Sequence, residues 1–193
     1  MGILDTLDQN EKKLLKKRFF RKNEILYHEG DICTSISIVV IGDIDITSYS
    51  FKGKDIVYNS LSSGDMFGNN LLFSSNPKYR GDVVTKSAGQ IYVIEQPTLL
   101  YFLKNNNAFL LEYLKVCSDF GKSLNSKIKL LSFNHAEERL KYLFVINDGV
   151  IRFKYITTLA DTLNLSREAT SRLISKLIKE GKIKRTMNVL TLV

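Results

Sequence analysis

Cysteine, histidine and proline are scarce in this 193-residue sequence, with two of each. Cys33 and Cys117 lie far apart and lack metal-site spacing, so they read as two buried thiols. His28 and His135 are too few for a zinc or iron site built from several imidazoles. Without a His-x-His pair, a jelly-roll metalloenzyme is a poor fit. No nucleophile–base arrangement or phosphate loop is present, and no enzyme is expected. No apolar run reaches 18 residues, so no membrane span is expected. Met1-Gly2-Ile3-Leu4-Asp5 lacks the basic start and apolar middle of a signal peptide, which makes a cytoplasmic protein the expectation. Glycine and proline are not in excess and 44% of residues are hydrophobic. A globular chain follows, with one large domain or two small ones.

What is abundant is positive charge. The net charge is +8, and it is unevenly spread. Residues 135–193 carry 11 Lys and Arg against 6 Asp and Glu, whereas residues 1–134 carry 17 against 14. The smaller C-terminal part is the more densely basic, as phosphate binding requires. A merely soluble basic surface has the same composition, and charge alone does not separate the two.

Residues 5–18 read as a short amphipathic helix on Leu7, Leu14 and Leu15, preceded by Leu4. From Phe19 to about Ile94 the pattern changes to short β-branched and aromatic runs. These are 24–27, 35–41, 44–47, 55–58, 82–85 and 90–94. Gly30, Gly42, Gly53 and Gly64 punctuate them at intervals of 12, 11 and 11 residues. That is the rhythm of hairpins in an antiparallel sandwich or jelly roll. Pro97 opens a helical region, acceptable in a first turn. From about Asn107 to Leu131, Leu110, Cys117, Leu124 and Leu131 recur every seventh residue, with Tyr113, Leu114, Phe120 and Ile128 between them. This heptad seam is either a helix packing on its own domain or a parallel dimer helix. Phe133-Asn134-His135 interrupts it as a hinge. Helices are expected at 136–147, about 157–163 and 167–180, a turn at Asn147-Asp148-Gly149, a short strand at 151–153, and a hairpin over 182–192. Gly181 sits where a helix C-cap glycine belongs.

Residues 157–180 fit a helix-turn-helix. Leu159, Ala160 and Leu163 give the first helix an apolar face. Asn164 suits the left-handed turn, and Ser166 suits the N-cap of the second helix. Thr170, Leu173, Ile174, Leu177 and Ile178 form a buried stripe on that helix. Arg167, Glu168, Ser171, Arg172 and Ser175 share the opposite side. Arg binds guanine bidentately and Glu accepts from the cytosine amino group. The bland alternative is a solvated face with a Glu168–Arg172 ion pair. Ser166, Arg167, Glu168, Ser171 and Arg172 are the candidate DNA-binding residues, flanked by Thr157 and Lys176.

The stretch from Leu159 through Ser166-Arg167-Glu168-Ala169-Thr170-Ser171-Arg172 resembles the signature of the CRP/FNR family of bacterial transcription regulators. Glu29-Gly30-Asp31 resembles the family's first roll turn. Gly64-Asp65-Met66-Phe67-Gly68 resembles the entry to its cyclic-nucleotide cassette, and Ala136-Glu137-Glu138-Arg139-Leu140 the helix after the hinge. The resemblance implies an α+β fold. A β-roll sensor would span 1–106, a dimerisation helix 107–133 and a winged helix-turn-helix 134–193. The seam residues Leu110, Tyr113, Leu114, Cys117, Phe120 and Leu124 then form a homodimer. The implied partners are double-stranded DNA and RNA polymerase. Arg167, Glu168 and Arg172, or Glu168, Ser171 and Arg172, would read an inverted repeat with half-sites resembling TGTGA or TTGA.

The sensor departs from the family pattern. Gly68 is followed by Asn69 rather than the glutamate that meets a ribose. Arg80 lies one residue late and is followed by Gly81, without a hydroxyl. Gly68, Asn69, Arg80 and Gly81 remain the candidate effector residues, but cAMP is not expected. Iron–sulfur sensing in the family uses four cysteines, and haem sensing uses a histidine in the middle of the roll. This chain has two cysteines, and His28 lies too early, so neither group is expected. The effector is a different small molecule, or there is none. A competing reading is a small-molecule-binding module whose C-terminal domain mediates protein contacts.

Overall fold

The structure, a computed structural model, describes residues 2–49 and 55–193. Gly53 of the glycine rhythm lies outside the described residues. The chain falls into two compact units, Met1–Ser118 and Asp119–Val193.

The first unit is an antiparallel roll with helices at its ends. A 3₁₀ turn, Ile3–Thr6, precedes the one-turn helix α1, Gln9–Lys12. Asp8 caps α1 by accepting from the Asn10 and Glu11 amides. Among the described residues eight strands follow: β1 (Lys16–Phe20), β2 (Ile25–Tyr27), β3 (Ser35–Ile41), β4 (Ile44–Tyr49), β5 (Asp55–Leu61), β6 (Met66–Phe67), β7 (Asp82–Thr85) and β8 (Gly89–Glu95). One sheet has the order β1-β8-β3-β6 and the other β2-β7-β4-β5. Inward residues Ile36, Ile38, Ile44, Val83, Ile91 and Ile94 are buried, and they fill the roll. Gly30, Gly42 and Gly64 all have positive φ, as turns between such strands demand. Gly89 is required for another reason: a Cβ there would lie 2.0 Å from the Ile41 carbonyl oxygen. It sits opposite the irregularity between Val39 and Ile41 in the β3–β8 ladder.

Two elements differ from the sequence expectation. The expected helix over 5–18 stops after α1, and Lys16-Lys17-Arg18-Phe19-Phe20 is a strand. Five residues of β1 pair with β8, from Lys16↔Val93 to Phe20↔Gly89. A short isolated helix is marginal, and those ladder bonds outweigh it. Phe20 points into the core, and Arg18 reaches the Leu26 carbonyl. The two-residue β6 was not expected as a strand. It pairs with Ser37 and Ile38 of β3.

Helix α2 (Gln96–Asn105) carries Pro97 in its first turn. Asn106 then breaks the helix and restarts it, its side-chain oxygen accepting from the Phe109 amide. The next helix, α3, runs Asn107–Ser132. Its Phe109 and Tyr113 are buried in the first unit's core.

The second unit is helical with a small sheet. It contains α4 (Ala136–Ile146), β9 (Val150–Arg152), α5 (Ile156–Leu163), α6 (Arg167–Lys179), β10 (Ile183–Thr186) and β11 (Val189–Leu192). The sheet order is β10-β11-β9, all antiparallel. Leu130, Leu140, Phe144, Leu163, Ile174 and Leu190 are core residues of this unit. The α+β architecture expected from the sequence is the one found.

Candidate nucleic-acid interface and sensor roll

The local sequence dictates how α5 meets α6. Leu159, Ala160 and Leu163 bury one face of α5. Asn164 ends that helix at φ 52°, ψ 52°, and the Leu165 amide donates back to the Ala160 carbonyl at 2.9 Å. Asparagine tolerates this left-handed geometry better than most residues. Ser166 then takes extended geometry, and its hydroxyl accepts from the Ala169 amide at 3.1 Å. Thr170 donates to the Ser166 carbonyl at 3.0 Å and is buried with Ile174 and Leu177. Leu173 is half-buried, and Ile178, expected in the buried stripe, is exposed at the helix end.

A residue not singled out as a site residue from the sequence braces this arrangement. Arg139 donates from Nη1 to the Leu163 carbonyl and from Nε to the Phe133 carbonyl, both at 2.9 Å. It ties the end of α5 to the segment entering α4. Its place beside Leu140 in the 136–140 stretch was the available signal.

The opposite face of α6 is open. Ser166, Arg167, Glu168, Arg172 and Ser175 are exposed, and Ser171 is half-buried. Among the described residues, Arg167 and Arg172 form no salt bridge or hydrogen bond, and the alternative Glu168–Arg172 ion pair is not formed. Both act on Glu168 only as nearby charges. The Glu168 carboxyl is held below the ordinary carboxylate range by its own backbone amide first. The Ser166 hydroxyl and the two guanidinium charges add to this. Ser171, Arg172, Ser175, Lys176, Lys179 and Glu180 line a shallow groove of about 630 Å³ along the helix.

Lys176 stands apart from the other candidates because it is already engaged. Its ammonium lies 3.3 Å from Glu137 and 3.7 Å from Glu180. Glu137 also holds Lys141 at 3.2 Å and Lys182 at 3.3 Å. These lysines push the Glu137 pKa down to about 2, Lys141 most strongly, then Lys182 and Lys176. Thr157 is exposed in the first turn of α5.

In the roll, Gly68 is buried at φ +83°, and a Cβ there would meet the Ser35 carbonyl oxygen at 2.7 Å. Asn69 is half-buried and donates to the Cys117 sulfur at 3.8 Å. Arg80 is exposed and Gly81 buried. The structure thus joins Asn69 to α3 and leaves Arg80 in solvent. Two buried hydroxyls, Ser37 Oγ and Tyr79 Oη, have no partner among the described residues. Tyr79 stacks on Tyr27 at 4.7 Å, and burial pushes its phenol pKa up.

Along α3, Leu114, Phe120 and Leu124 are exposed, and Leu110 and Cys117 are half-buried. Tyr113 is the exception: it is buried and stacks on Phe109 at 6.4 Å. Its ring is used by the chain's own core, so it is not available to a seam. Among the described residues no three His, Cys, Asp or Glu cluster as metal ligands, and no helix is long and apolar enough to cross a membrane.

Three comparisons bear on this geometry. Residues 17–106 match the cyclic nucleotide-binding domain. The chain is 26% identical over 179 residues to the anaerobic regulatory protein of Bacillus subtilis, covering 86% of this chain and 75% of that one. Its fold is similar to that of a CooA mutant from Carboxydothermus hydrogenoformans, with a TM-score of 0.75 at 20% identity over 100% of this chain and 91% of that one. The Thermus thermophilus catabolite activator protein shares the fold with a TM-score of 0.58 at 16% identity, over 99% and 93% of the two chains.

Proposed function

We propose that the chain is a transcription regulator of the CRP/FNR type that binds double-stranded DNA as a homodimer through α6, a reading supported by its match to the cyclic nucleotide-binding domain and by its fold. One observation carries this reading: two unpartnered guanidinium groups, Arg167 and Arg172, flank Glu168 on the open face of a helix whose other face is locked in a core. In this reading Ser166, Arg167, Glu168, Ser171 and Arg172 meet base edges or the adjoining backbone in the major groove. Thr157 contacts a phosphate, and Lys176 does so only in competition with Glu137.

Residues 1–106 then serve as the sensor, 107–133 as the dimerisation helix and 134–193 as the winged helix-turn-helix. Leu110, Leu114, Cys117, Phe120 and Leu124 supply the seam of a parallel dimer, and the exposure of Leu114 and Leu124 supports a pairing through this face. The two half-sites of an inverted repeat would lie about one helical turn apart, roughly 34 Å. Regulation implies RNA polymerase as a further partner and the cytoplasm as the place of action.

The residues present do not fit cAMP. Asn69 is committed to Cys117, Arg80 faces solvent, and Gly81 offers no hydroxyl. The effector in this reading is another small molecule, or none. Selection of bound sequences from random DNA, run with and without a metabolite extract, tests both points. Recovery of an inverted repeat is expected. A pool that stays random under both conditions would remove the DNA-reading assignment.

A further inference from the structure

The cleft left between α4, α6 and the β10–β11 pair has an apolar lining and a charged rim. Leu140 and Phe144, one turn apart on α4, share a cavity of about 230 Å³ with Leu177 of α6 and Ile183 of β10. Leu192 and Val193 continue the apolar lining. Lys141 and Lys182 are the only polar residues that line it. Cations over an apolar wall complement a molecule with an anionic head and an apolar body. Sites for drug-sized ligands run to about 300–1,000 Å³, so this cavity fits a smaller molecule. Every residue named here belongs to the second unit, so the cavity needs nothing from the roll.

The charges at the rim do not balance. Glu137 meets Lys141 at 3.2 Å, Lys176 at 3.3 Å and Lys182 at 3.3 Å. Glu180 meets Lys176 at 3.7 Å and Lys182 at 2.6 Å. Three ammonium groups thus share two carboxylates, which leaves one positive charge over. The Glu180 carboxylate, and after it that of Glu137, raises the Lys182 pKa, so this lysine stays charged at neutral pH. The Lys141 and Lys182 side chains are 62% and 49% exposed. Ion pairs this exposed contribute little, so a further carboxylate can share the lysines without breaking a costly contact.

We propose that this cleft binds a small amphipathic carboxylate of the medium-chain alkanoate type. Its chain lies on Leu140, Phe144, Leu177 and Ile183, and its carboxylate pairs with Lys141 and Lys182 as a third acceptor beside Glu137 and Glu180. Burial of the chain supplies most of the affinity, since the hydrophobic effect scales with apolar area removed from water. The excess positive charge selects against neutral molecules of the same shape. The site goes beyond the DNA-binding reading and does not depend on it. It also avoids Asn69, Arg80 and Gly81, the roll positions that do not fit cAMP.

Calorimetric titration of the full chain with octanoate provides the test. Saturable binding of one octanoate per chain is expected. Hexanoate should bind about fifteenfold more weakly, because each buried methylene accounts for about fourfold. The neutral 1-octanol should bind about fivefold more weakly than octanoate, the difference an exposed ion pair makes. Lys182→Gln should narrow that preference. Glu137→Gln, which removes a competing carboxylate, should widen it. Val193 is 69% exposed, so Val193→Trp leaves the core untouched. Its indole should occupy the cleft and weaken octanoate and 1-octanol alike, which keeps the test decisive if Lys182→Gln fails to fold. Absence of saturable octanoate binding overturns the proposal. So does 1-octanol binding as tightly as octanoate, which would leave the lysines without a role. Wild-type octanoate affinity in Val193→Trp overturns it as well, because the ligand would then sit elsewhere.

Discussion

Arg172 and Glu137 are opposite cases among single side chains of the second unit. Among the described residues, Arg172 has no hydrogen-bond or ion-pair partner within the chain, whereas Glu137 gathers three lysines from α4, α6 and the segment just before β10. A free guanidinium on an open helix face has its donors available for a base. Arg172→Ala should therefore cost about 1–3 kcal/mol on the selected site and relax the preference at the base it reads. Anisotropy on the selected duplex and on single-base variants measures both quantities. Unchanged affinity with unchanged preference would move the reading role to other residues. Glu137 acts on folding instead. Its folded pKa, about 2, lies below the ordinary 4.5. A depressed folded value means its contribution is present above the unfolded pKa and is lost as pH falls through about 4.5 toward 2. Thermal melts across that window should show a steeper loss for the wild type than for Glu137→Gln. Parallel curves would show that the lysines do not stabilise the fold through this carboxylate.

The legible elements were those whose whole signal is local. The α5–α6 junction was readable because an asparagine at the turn, a serine cap and a buried stripe at helical spacing each carry their own physics. Strands β3 and β7 were found at their observed limits, since alternation and β-branching survive without knowledge of the partner strand. What failed depends on distant chain. Residues 16–20 form β1 only because β8 lies beside them, more than seventy residues later. Met66–Phe67 is too short to announce itself as a strand. The same limit separates residues on α3. The heptad rule placed Tyr113 with Leu110 and Leu114, but only the fold tells that Phe109 and the roll cover its ring. Of the seam residues left exposed, Leu124 is 49% accessible and lies outside the roll's core. Leu124→Glu should place a charge in a parallel seam and give monomers in sedimentation. A dimer of undiminished stability would mean that the copies pair elsewhere.

At the scale of the whole molecule, the two units are unequal in charge, and this inequality makes a prediction that no single residue makes. The C-terminal 59 residues hold 11 of the 28 lysines and arginines with only 6 acidic residues. Several of these cations are already neutralised inside the unit. Lys141, Lys176 and Lys182 share Glu137, and Lys176 and Lys182 also meet Glu180. Arg167, Arg172, Lys154, Lys184 and Arg185 form no salt bridge among the described residues, and Glu168 feels Arg167 and Arg172 only as nearby charges. Counterion release counts only cations that reach phosphate, with a log–log salt slope of about −0.9 per phosphate neutralised. Binding should therefore weaken steeply with salt, and by less than the net charge of +8 per chain would give if every excess cation took part. Removing Glu137 as a competitor should steepen it: Glu137→Gln leaves Glu180 to hold Lys176 and Lys182, which loosens both toward the duplex while leaving α6 and its cap intact. Titrations from about 50 to 200 mM salt, the range over which phosphate binders lose about 10³–10⁵ in affinity, measure both slopes. A flat wild-type profile would argue that the basic unit does not meet phosphate at all. A wild-type slope that Glu137→Gln leaves unchanged would place Lys176 and Lys182 away from the duplex, with phosphate binding left to the unpartnered cations of α6 and the β9–β11 sheet.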